Sequence, residues 1–351
     1  MRIAHIMAGA ASGGAELFYE RLVAAQRRTG DDVLAIIRRN AARAARLRDG
    51  GCDPVELRFG GALDLLTGPR IRRRLALFKP GLVMAWMSRA AALTPVGDHV
   101  LIGRLGGTYD LRRFRRCDHL VANTGGLVRW ITAQGWPAHR VHLLPNFVSD
   151  FMPNFMPDVM RNRADAALAA LPVPPGAPTV LAMGRLHRNK AFDVLICAMR
   201  RLPGVHAVIA GIGPERPALE ALARSEGVAD RVHLLGWRTD QAALLAAATV
   251  LAVPSRIEPL GNVILEGFSA GVPVVAAASD GPRETIRPGE TGLLTPIDDP
   301  ERLAEALGAV IGDQGLAVRI GRAGRAEFEA RHAEPAVLAT WRALLPTLEK
   351  I

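Results

Sequence analysis

The sequence predicts an α/β protein with two Rossmann-like domains, each built on a parallel sheet. Three observations support this fold class. Short apolar runs of strand length alternate with longer helical patterns along the chain. The length of 351 residues is about twice that of an ordinary domain. Between the two sets of elements runs Pro145–Pro178, which contains seven prolines and cannot form one regular element.

In the first half, apolar runs predict six strands and a helix after the first of them. The strands are Arg2–Met7, Asp32–Ile37, Gly81–Ala85, Val100–Ile102, His119–Val121 and Arg140–Leu143, and the helix is Ala15–Thr29. A last helical segment, Pro335–Lys350, has Trp341, Leu344, Leu345 and Leu348 on one face. We expect it to pack back on the first domain.

The second half repeats the pattern with six more strands. They are Thr179–Ala182, His206–Ala210, Val232–Leu234, Val250–Val253, Pro273–Ala276 and Thr291–Leu293. The helices between them are Asp193–Arg201, Glu215–Glu226, Gln241–Ala248, Val263–Ala270 and Pro300–Ile311. We therefore expect a first domain over residues 1–160, completed by 335–351, and a second over 161–334. If the domains face each other, the ligand crevice at the strand ends lies between them.

Composition excludes several classes of protein. A composition of 49% apolar and 22% charged residues is typical of a globular protein and not of a disordered one. Three scattered cysteines are too few for a disulfide framework or a cysteine-type zinc site, which indicates a reducing compartment and no metal. No apolar stretch approaches the roughly 18 residues of a membrane-spanning helix. We expect a cytoplasmic protein, soluble or peripheral on a membrane.

The formal net charge of +10 is unevenly distributed. Residues 1–150 hold 23 basic and 12 acidic residues, whereas the remainder is close to neutral. Arginine clusters occur at Arg38, Arg39, Arg43, Arg46, Arg48, Arg70, Arg72–Arg74, Arg112, Arg113, Arg115 and Arg116. Such a surface attracts an anionic acceptor or an anionic membrane leaflet, and a solvated face is the alternative. Nucleic acid is not expected as a partner, because aromatic residues do not interleave with the arginines.

The strongest candidate site follows the strand at Val250–Val253. Pro259 stands where a helix N1 proline belongs, and Gly271 where a C′ glycine belongs. The helix N-terminus is expected at Leu260, Gly261, Asn262 and Val263. Its free N–H groups would bind an anion, most often phosphate. Glu258 and Glu266 flank this start, so two carboxylates can hold different parts of one elongated ligand. Two solvated helix glutamates are the alternative.

Embedded in EPLGNVILEGFSAGVPVVA, Glu258 and Glu266 resemble the E-x7-E motif of the retaining GT-B glycosyltransferases of family 4. Gly13-Gly14-Ala15-Glu16 is similar to the N-terminal glycine loop of that family. Gly184-Arg185-Leu186 with Lys190, and Gly211-Ile212-Gly213-Pro214, follow the first two strands of the second domain as family members have them. The resemblance implies a GT-B fold and transfer of a hexosyl or related group without a metal.

The resemblance also implies a role for each residue of the second domain. Arg185 and Lys190 neutralise the diphosphate of a UDP- or GDP-linked sugar, Glu266 binds the ribose, and Glu258 contacts the donor sugar. Gly236 and Trp237 lie where the family holds the base, although Trp237 is equally suited to packing. Gly211 and Gly213 would let the donor approach the backbone. A guanidinium, an ammonium and a helix N-terminus that converge would stabilise the leaving group electrostatically. Only three of the 44 basic residues are lysines, which singles out Lys190.

In the first domain, Gly13 and Gly14 would leave room for the acceptor or a sugar phosphate, with a plain tight turn as the alternative. Many family members carry a histidine after the fourth strand, where this chain reads Met84-Ala-Trp86-Met87-Ser88-Arg89. We expect Trp86, Ser88 or Arg89 to occupy that space. Arg104, at the end of the next strand, is a second candidate for the cleft. His5, inside the first strand, is expected to be a core histidine.

Together these features predict a retaining glycosyltransferase that is peripheral on the membrane. Its acceptor would be a glycan or lipid-linked glycan such as a lipopolysaccharide core, because the segments around Trp86 and Arg104 resemble those of bacterial envelope transferases. Two alternatives stay open. A nucleotide-sugar epimerase of the same architecture would need no acceptor. A Rossmann oxidoreductase would bind a nicotinamide cofactor, but Arg216 replaces the third glycine of its G-x-G-x-x-G fingerprint.

Overall fold

A computed structural model describes residues 1–10, 13–60, 64–151 and 171–351. The chain divides into two compact units, and each has its own parallel sheet and apolar core. The first unit comprises Met1–Phe147 and Val337–Ile351, and the second comprises Val148–Ala336. The two parallel α/β sheets expected from the sequence are confirmed.

The first unit contains a seven-stranded parallel sheet. Its strands are β1 (Arg2–Met7), β2 (Asp32–Arg38), β3 (Val55–Leu57), β4 (Leu82–Trp86), β5 (Val100–Leu105), β6 (His119–Ala122) and β7 (Val141–Leu143). The helices are α1 (Gly14–Arg28), α2 (Ala41–Asp49), α3 (Thr67–Phe78), α4 (Met87–Leu93) and α5 (Gly125–Ala133). The spatial order is β3-β2-β1-β4-β5-β6-β7. The order therefore reverses between β1 and β4.

The second unit contains a six-stranded parallel sheet. Its strands are β8 (Thr179–Met183), β9 (His206–Ala210), β10 (Val232–Gly236), β11 (Val250–Val253), β12 (Val274–Ala277) and β13 (Leu293–Thr295). The helices are α6 (Phe192–Ala198), α7 (Arg216–Ser225), α8 (Gln241–Ala247), α9 (Asn262–Ser269), α10 (Asp280–Thr285), α11 (Pro300–Gly312) and α12 (Gln314–Glu327). The spatial order β10-β9-β8-β11-β12-β13 reverses between β8 and β11. In open α/β sheets, ligands bind at the carboxyl edge beside such a reversal.

The change from one unit to the other falls between Phe147 and Val148. Phe147 packs edge-on against Phe18 of the first core, with ring centroids 5.4 Å apart. Val148 instead packs in the second core with Leu171 and Met183. The expected boundary at residue 160 lies outside the described residues, as do residues 152–170 of the proline-rich segment.

The C-terminal helix, α13 (Glu334–Leu344), returns the chain to the first unit. The helix ends at Leu344, before the expected Lys350. Of the expected face, Trp341 and Leu348 are buried in the first core and Leu344 and Leu345 pack against it, while Val337 and Leu338 are buried there as well. The last residues are held at the start of β6, where the Lys350 ammonium and the Ile351 N–H both bond the buried Asp118 carboxylate, each at 3.1 Å. The tail therefore adds specific polar bonds to an apolar helix contact.

His5 is a core histidine, as expected. It is fully buried in β1 and its ring bonds Gln26 Oε1 at 2.7 Å, while the Trp86 indole N–H donates to its other nitrogen at 3.1 Å. Burial lowers the His5 pKa from its ordinary 6.5 to about 4, because the charged ring would lose its hydration. His5 is therefore held neutral in the fold.

This burial predicts a pH dependence of stability. The unfolded chain protonates His5 below pH 6.5 and the folded chain does not, so its contribution is complete above pH 6.5 and is lost as the pH falls toward 4. We expect His5 to account for a fall of about 2 kcal/mol in the free energy of unfolding of the first unit between pH 7.5 and pH 5. Urea titrations followed by tryptophan fluorescence would measure this fall.

The matched control is His139→Gln, because His139 is exposed. We expect His139→Gln to show the same fall in the free energy of unfolding between pH 7.5 and pH 5 as wild type. In His5→Gln this fall should be smaller by about 2 kcal/mol. An equally steep dependence in His5→Gln would contradict the assignment.

Candidate functional site

The loops after β8 and β11 meet at the reversal of strand order in the second sheet, because β8 pairs directly with β11. The first loop carries Lys190 and the second carries Glu258. The Lys190 ammonium forms an ion pair with Glu258 Oε2, and the Ser255 hydroxyl donates to the same oxygen at 3.4 Å. The fold therefore brings together two residues that are 68 positions apart in sequence.

This ion pair is largely removed from solvent. The Glu258 side chain is 10% exposed and that of Lys190 is 25% exposed. Ala191, which follows Lys190, adopts a left-handed backbone with φ of 51°, a conformation that costs free energy in any residue with a Cβ. A strained residue thus directly follows the lysine. An incoming diphosphate would have to compete with Glu258 for its ammonium.

The loop after β8 is also packed tightly against the loop after β9. A Cβ on Gly211 would lie 1.8 Å from the Gly184 carbonyl oxygen, and one on Gly213 would lie 2.2 Å from that of Leu186. The main chains of the two loops are also hydrogen-bonded, since the Leu186 N–H donates to the Ile212 carbonyl at 2.9 Å. Glycine is therefore required at positions 211 and 213 because any side chain there would clash with the main chain of the loop after β8. The sequence alone did not reveal this reason.

This packing predicts that Gly211→Ala strongly destabilises the second unit. The new methyl group would clash with backbone, which cannot rotate away, so we expect a loss of at least about 2 kcal/mol in the free energy of unfolding. Gly312→Ala is the matched control, because a Cβ there meets nothing within 4 Å. Thermal unfolding would compare them, and equal midpoints for the two variants would contradict this account of the loop.

Helix α9 begins later than the sequence suggested. Its first residue is Asn262 and its N-cap is Gly261, whose φ of +87° breaks the helix on the N-terminal side. Pro259 and Leu260 consequently lie in the loop, and Glu258 is not part of the helical repeat. The Gly281 N–H holds this loop by donating to the Glu258 carbonyl at 2.8 Å.

The end of α9 matches its prediction. Gly271 has φ of +67°, and the N–H groups of Gly271 and Val272 donate to the carbonyls of Phe268 and Gly267 at 3.0 Å each. These two bonds form a Schellman motif, which satisfies carbonyls at the helix end that have no partner within the helix. The C′ position of Gly271 is therefore confirmed.

Glu266 points into the fold from the second turn of α9. Its side chain is 6% exposed, and its helix neighbours Ile264, Leu265 and Phe268 are fully buried. The alternative of two solvated helix glutamates is therefore wrong for both Glu258 and Glu266.

Large apolar side chains are exposed after three strands of the same sheet. Ile212, Trp237 and Ile257 follow β9, β10 and β11 and are 57%, 62% and 58% exposed. The packing alternative for Trp237 is therefore wrong. Arg185, after β8, is also exposed and pairs with no other described residue. The loops at the carboxyl edge of the second sheet thus carry exposed apolar side chains and an exposed guanidinium.

In the first unit, the glycine loop after β1 encloses a carboxylate. Glu16 is 5% exposed and its Oε1 accepts the Ala10 N–H at 2.7 Å. A Cβ on Gly13 would lie 2.5 Å from Glu16 Oε2, and one on Gly9 would lie 2.3 Å from Oε1. Gly13 is extended, so its backbone does not itself demand glycine. Gly13 therefore makes room for Glu16, while Gly14 is the first residue of α1.

Trp86 and Arg104, expected to line a cleft, are instead buried in the first core at 1% and 3% exposure. Trp86 is the last residue of β4, and its ring contacts Phe18, Tyr19 and His5. The Arg104 guanidinium donates to the Leu144 carbonyl at 2.7 Å and to Asn146 Oδ1 at 2.8 Å. Burial lowers the Arg104 pKa to about 9. Both side chains lie on the face of the sheet that α1 covers, where the Arg104 guanidinium stands over the Phe18 and Trp86 rings, and strand position alone does not reveal this.

Met87 lies directly after Trp86, in the stretch where many family members have a histidine. It begins α4 with φ of 62°, and its methyl group would be 2.7 Å from a Cβ on Gly9. Arg89 is exposed and donates weakly to the Phe59 carbonyl at 3.4 Å. A strained methionine therefore lies beside the glycine loop.

Within the described ranges, no three His, Cys, Asp or Glu side chains are placed to hold a metal ion. None of the helices in those ranges is long and apolar enough to cross a membrane.

Residues 177–313 match the family model for glycosyl transferases of group 1. The lipopolysaccharide core biosynthesis glycosyltransferase LpsE of Rhizobium meliloti (strain 1021) is 34% identical over 355 residues, 98% of this chain and 99% of LpsE. LpsD of the same strain, another lipopolysaccharide core biosynthesis glycosyltransferase, is 30% identical over 341 residues, 96% of each chain. The structure of Anabaena HepE in complex with UDP and glucose superposes with a TM-score of 0.82 at 21% identity, over 98% of this chain and 99% of HepE.

Proposed function

The chain belongs to the group 1 glycosyltransferases, and from this premise we propose that it moves a hexosyl or related group from a nucleotide-diphospho sugar to a glycan or lipid-linked glycan, with retention and without a metal. The pairing of Lys190 with the largely buried Glu258 at the strand reversal carries the proposal. The full-length similarity to LpsE and LpsD supports a lipopolysaccharide core as acceptor. The spacing of Glu258 and Glu266 supports membership of family 4 as part of the same proposal.

The donor lies along the carboxyl edge of the second sheet. Glu266 accepts from the ribose hydroxyls, and the base lies on the surface formed by Gly236 and the exposed Trp237. Arg185, Lys190 and the N-terminus of α9 receive the diphosphate. Its oxygens displace Glu258 from Lys190, and the released carboxylate then accepts hydrogen bonds from the sugar hydroxyls. The ion pair of the free enzyme is thus exchanged for two sets of contacts to the donor.

The reaction breaks the bond between the anomeric carbon and the diphosphate oxygen. Negative charge grows on that oxygen, where the cations and the helix dipole stabilise it more strongly than in the ground state. The acceptor hydroxyl forms the new bond on the same face of the sugar and gives its proton to the departing phosphate oxygen. No glycosyl-enzyme forms, so a covalent sugar on Glu258 would contradict this mechanism.

A thermal-shift screen with UDP-, GDP- and ADP-sugars tests the donor assignment. A ligand that binds only the folded protein raises its apparent stability by mass action, so one nucleotide class should raise the melting temperature. Transfer should require an added acceptor, whereas an epimerase would release nucleotide without one. NADH binding in a fluorescence titration would favour the oxidoreductase.

We also propose that the first unit docks on the inner face of the cytoplasmic membrane through α3. Its exposed face carries Arg70 and Arg72–Arg74, and Leu65, Leu66 and Leu77 beside it are 79%, 57% and 68% exposed. The opposite face, Ile71 and Leu75, is buried. Basic side chains next to exposed leucines suit an anionic lipid surface, where each charge contributes about 1 kcal/mol.

Replacing Arg70, Arg73 and Arg74 by serine is expected to lower the affinity for phosphatidylglycerol vesicles about 100-fold, because three charges near the surface are lost. Sedimentation with vesicles measures this. A serine triple variant at the exposed Arg201, Arg224 and Arg319 of the second unit is the control and should bind like wild type. Equal loss in both variants, or binding that ignores anionic lipid content, would remove the membrane proposal.

A further inference from the structure

We infer that Arg256 is a positioning residue that fixes Lys190 relative to Glu258. It lies two residues before Glu258 on the loop after β11, and its side chain reaches across to the loop that carries Lys190. The inference rests on the proposed function, which gives those two residues different parts of the donor. Arg256 itself has no role in contacting the donor.

The Arg256 guanidinium joins three separate segments. It bonds the Asp193 carboxylate of α6 with both terminal nitrogens, at 2.9 and 2.6 Å, and donates from one of them to the Arg188 carbonyl at 2.8 Å. Its Nε lies 2.5 Å from Asp298, which precedes α11. A planar fork with five donors can satisfy such a set, and an ammonium cannot.

The loop that carries Lys190 depends on contacts from residues outside the loop to keep its position. It is a single 3₁₀ turn, Arg188–Lys190, followed by the strained left-handed Ala191. Among described residues, the main chains of the two loops are linked by one long hydrogen bond, from Ile257 N–H to the Asn189 carbonyl at 3.3 Å. Arg256 adds bonds on both sides of Lys190, at Arg188 and at Asp193. Without it, the loop can relax away from Glu258.

The consequence for catalysis follows from the roles of the two residues. Lys190 stabilises the departing diphosphate and Glu258 holds the sugar, so their separation sets the position of the leaving oxygen relative to the anomeric carbon. Displacement of a reacting group by about 1 Å costs about 100-fold in rate. Nucleoside affinity comes mainly from Glu266 and Trp237, which Arg256 does not touch. Loss of Arg256 should therefore lower kcat much more than it raises the donor KM.

The test compares Arg256→Met with Arg256→Lys and with a matched arginine. Arg231 also holds main-chain carbonyls, those of Met199, Leu202 and Val205 at 3.2, 2.7 and 3.3 Å, but it precedes β10 and lies at the opposite edge of the sheet. Transfer is measured from radiolabelled UDP- and GDP-sugars to core-truncated lipopolysaccharide. Hydrogen exchange of the full chain reports the loops, and calorimetry with UDP and GDP reports nucleotide affinity.

We expect kcat to fall about 100-fold in Arg256→Met and about 10-fold or more in Arg256→Lys, with donor KM and nucleotide affinity within about threefold of wild type. Amides 187–193 and 255–258 should exchange faster in both variants. Arg231→Met should keep the wild-type kcat per folded molecule. Unchanged loop exchange, an unchanged kcat, or full activity in Arg256→Lys would each overturn the inference.

Failure of the proposed function and failure of the Arg256 inference would give different experimental results. If wild type transfers no sugar from any donor, the proposed function fails. The loop exchange of Arg256→Met then decides alone whether Arg256 positions the Lys190 loop, and unchanged exchange overturns that as well.

Discussion

Replacing Lys190 with methionine is expected to lower kcat for sugar transfer about 10²- to 10³-fold, the usual effect of removing one group that stabilises charge in a transition state. Lys190 is the cation that the fold places beside Glu258, and its ammonium would face the oxygen on which charge develops. The length of methionine preserves much of the side-chain packing. Steady-state kinetics at saturating donor isolates the effect on kcat.

The control has to account for the carboxylate that the substitution leaves unpaired. Lys350→Met does this in the first unit, because Lys350 pairs at 3.1 Å with Asp118, whose side chain is 4% exposed. Both variants remove an ammonium from a buried carboxylate, so both should lose stability. Only Lys190→Met should lose kcat per folded molecule. Equal kcat values in the two variants would remove Lys190 from the reaction.

Replacing Glu266 with alanine is expected to weaken UDP or GDP binding about 100-fold. A hydrogen bond to a charged group contributes about 1.5 to 3 kcal/mol, and each 1.4 kcal/mol changes affinity about tenfold. Because Glu266 is 6% exposed among apolar neighbours, water cannot replace it fully as a ribose partner. Isothermal titration with the nucleoside diphosphate measures the change. Glu266→Gln, which fills the same space, should lose about tenfold.

Glu327→Ala is the matched variant for Glu266. Glu327 is also a helix glutamate of the second unit with a side chain that is 10% exposed, and it pairs with Arg287 and Arg331 instead of facing the carboxyl edge. Its loss should lower the melting temperature and leave nucleotide affinity unchanged. Wild-type affinity in both Glu266 variants would refute the ribose assignment.

The elements that the sequence predicted share one property: they are apolar runs or amphipathic helices with clear breaks. Strands β1, β9 and β11 end where predicted. Elements that were missed lack this contrast. Strand β3 has three residues, only one of them buried, and the residues of α2 and α3 are rich in arginine. Alanine, leucine and arginine favour a helix, but the few buried positions of α2 and α3 give only a weak apolar periodicity.

The functional site, like the fold, could be predicted only in part from the sequence. Glu258, Glu266 and Lys190 stand in a recognisable pattern, so their candidacy follows from sequence. Their contacts do not, because the ion pair exists only once β8 and β11 are neighbours in the sheet. Trp86 and Arg104 illustrate the opposite error, since Trp86 ends β4, Arg104 is the last but one residue of β5, and both are buried in the core. A position at the end of a strand specifies the edge of the sheet but not its accessible side.

Nuclear magnetic resonance of the product tests the central claim most directly. The enzyme would be incubated in excess EDTA with the donor chosen by thermal shift and with core-truncated lipopolysaccharide. We predict a new glycosidic linkage with the anomeric configuration of the donor, formed only when the acceptor is present. A product of inverted configuration, or donor consumption that does not depend on the acceptor, would contradict a retaining transferase.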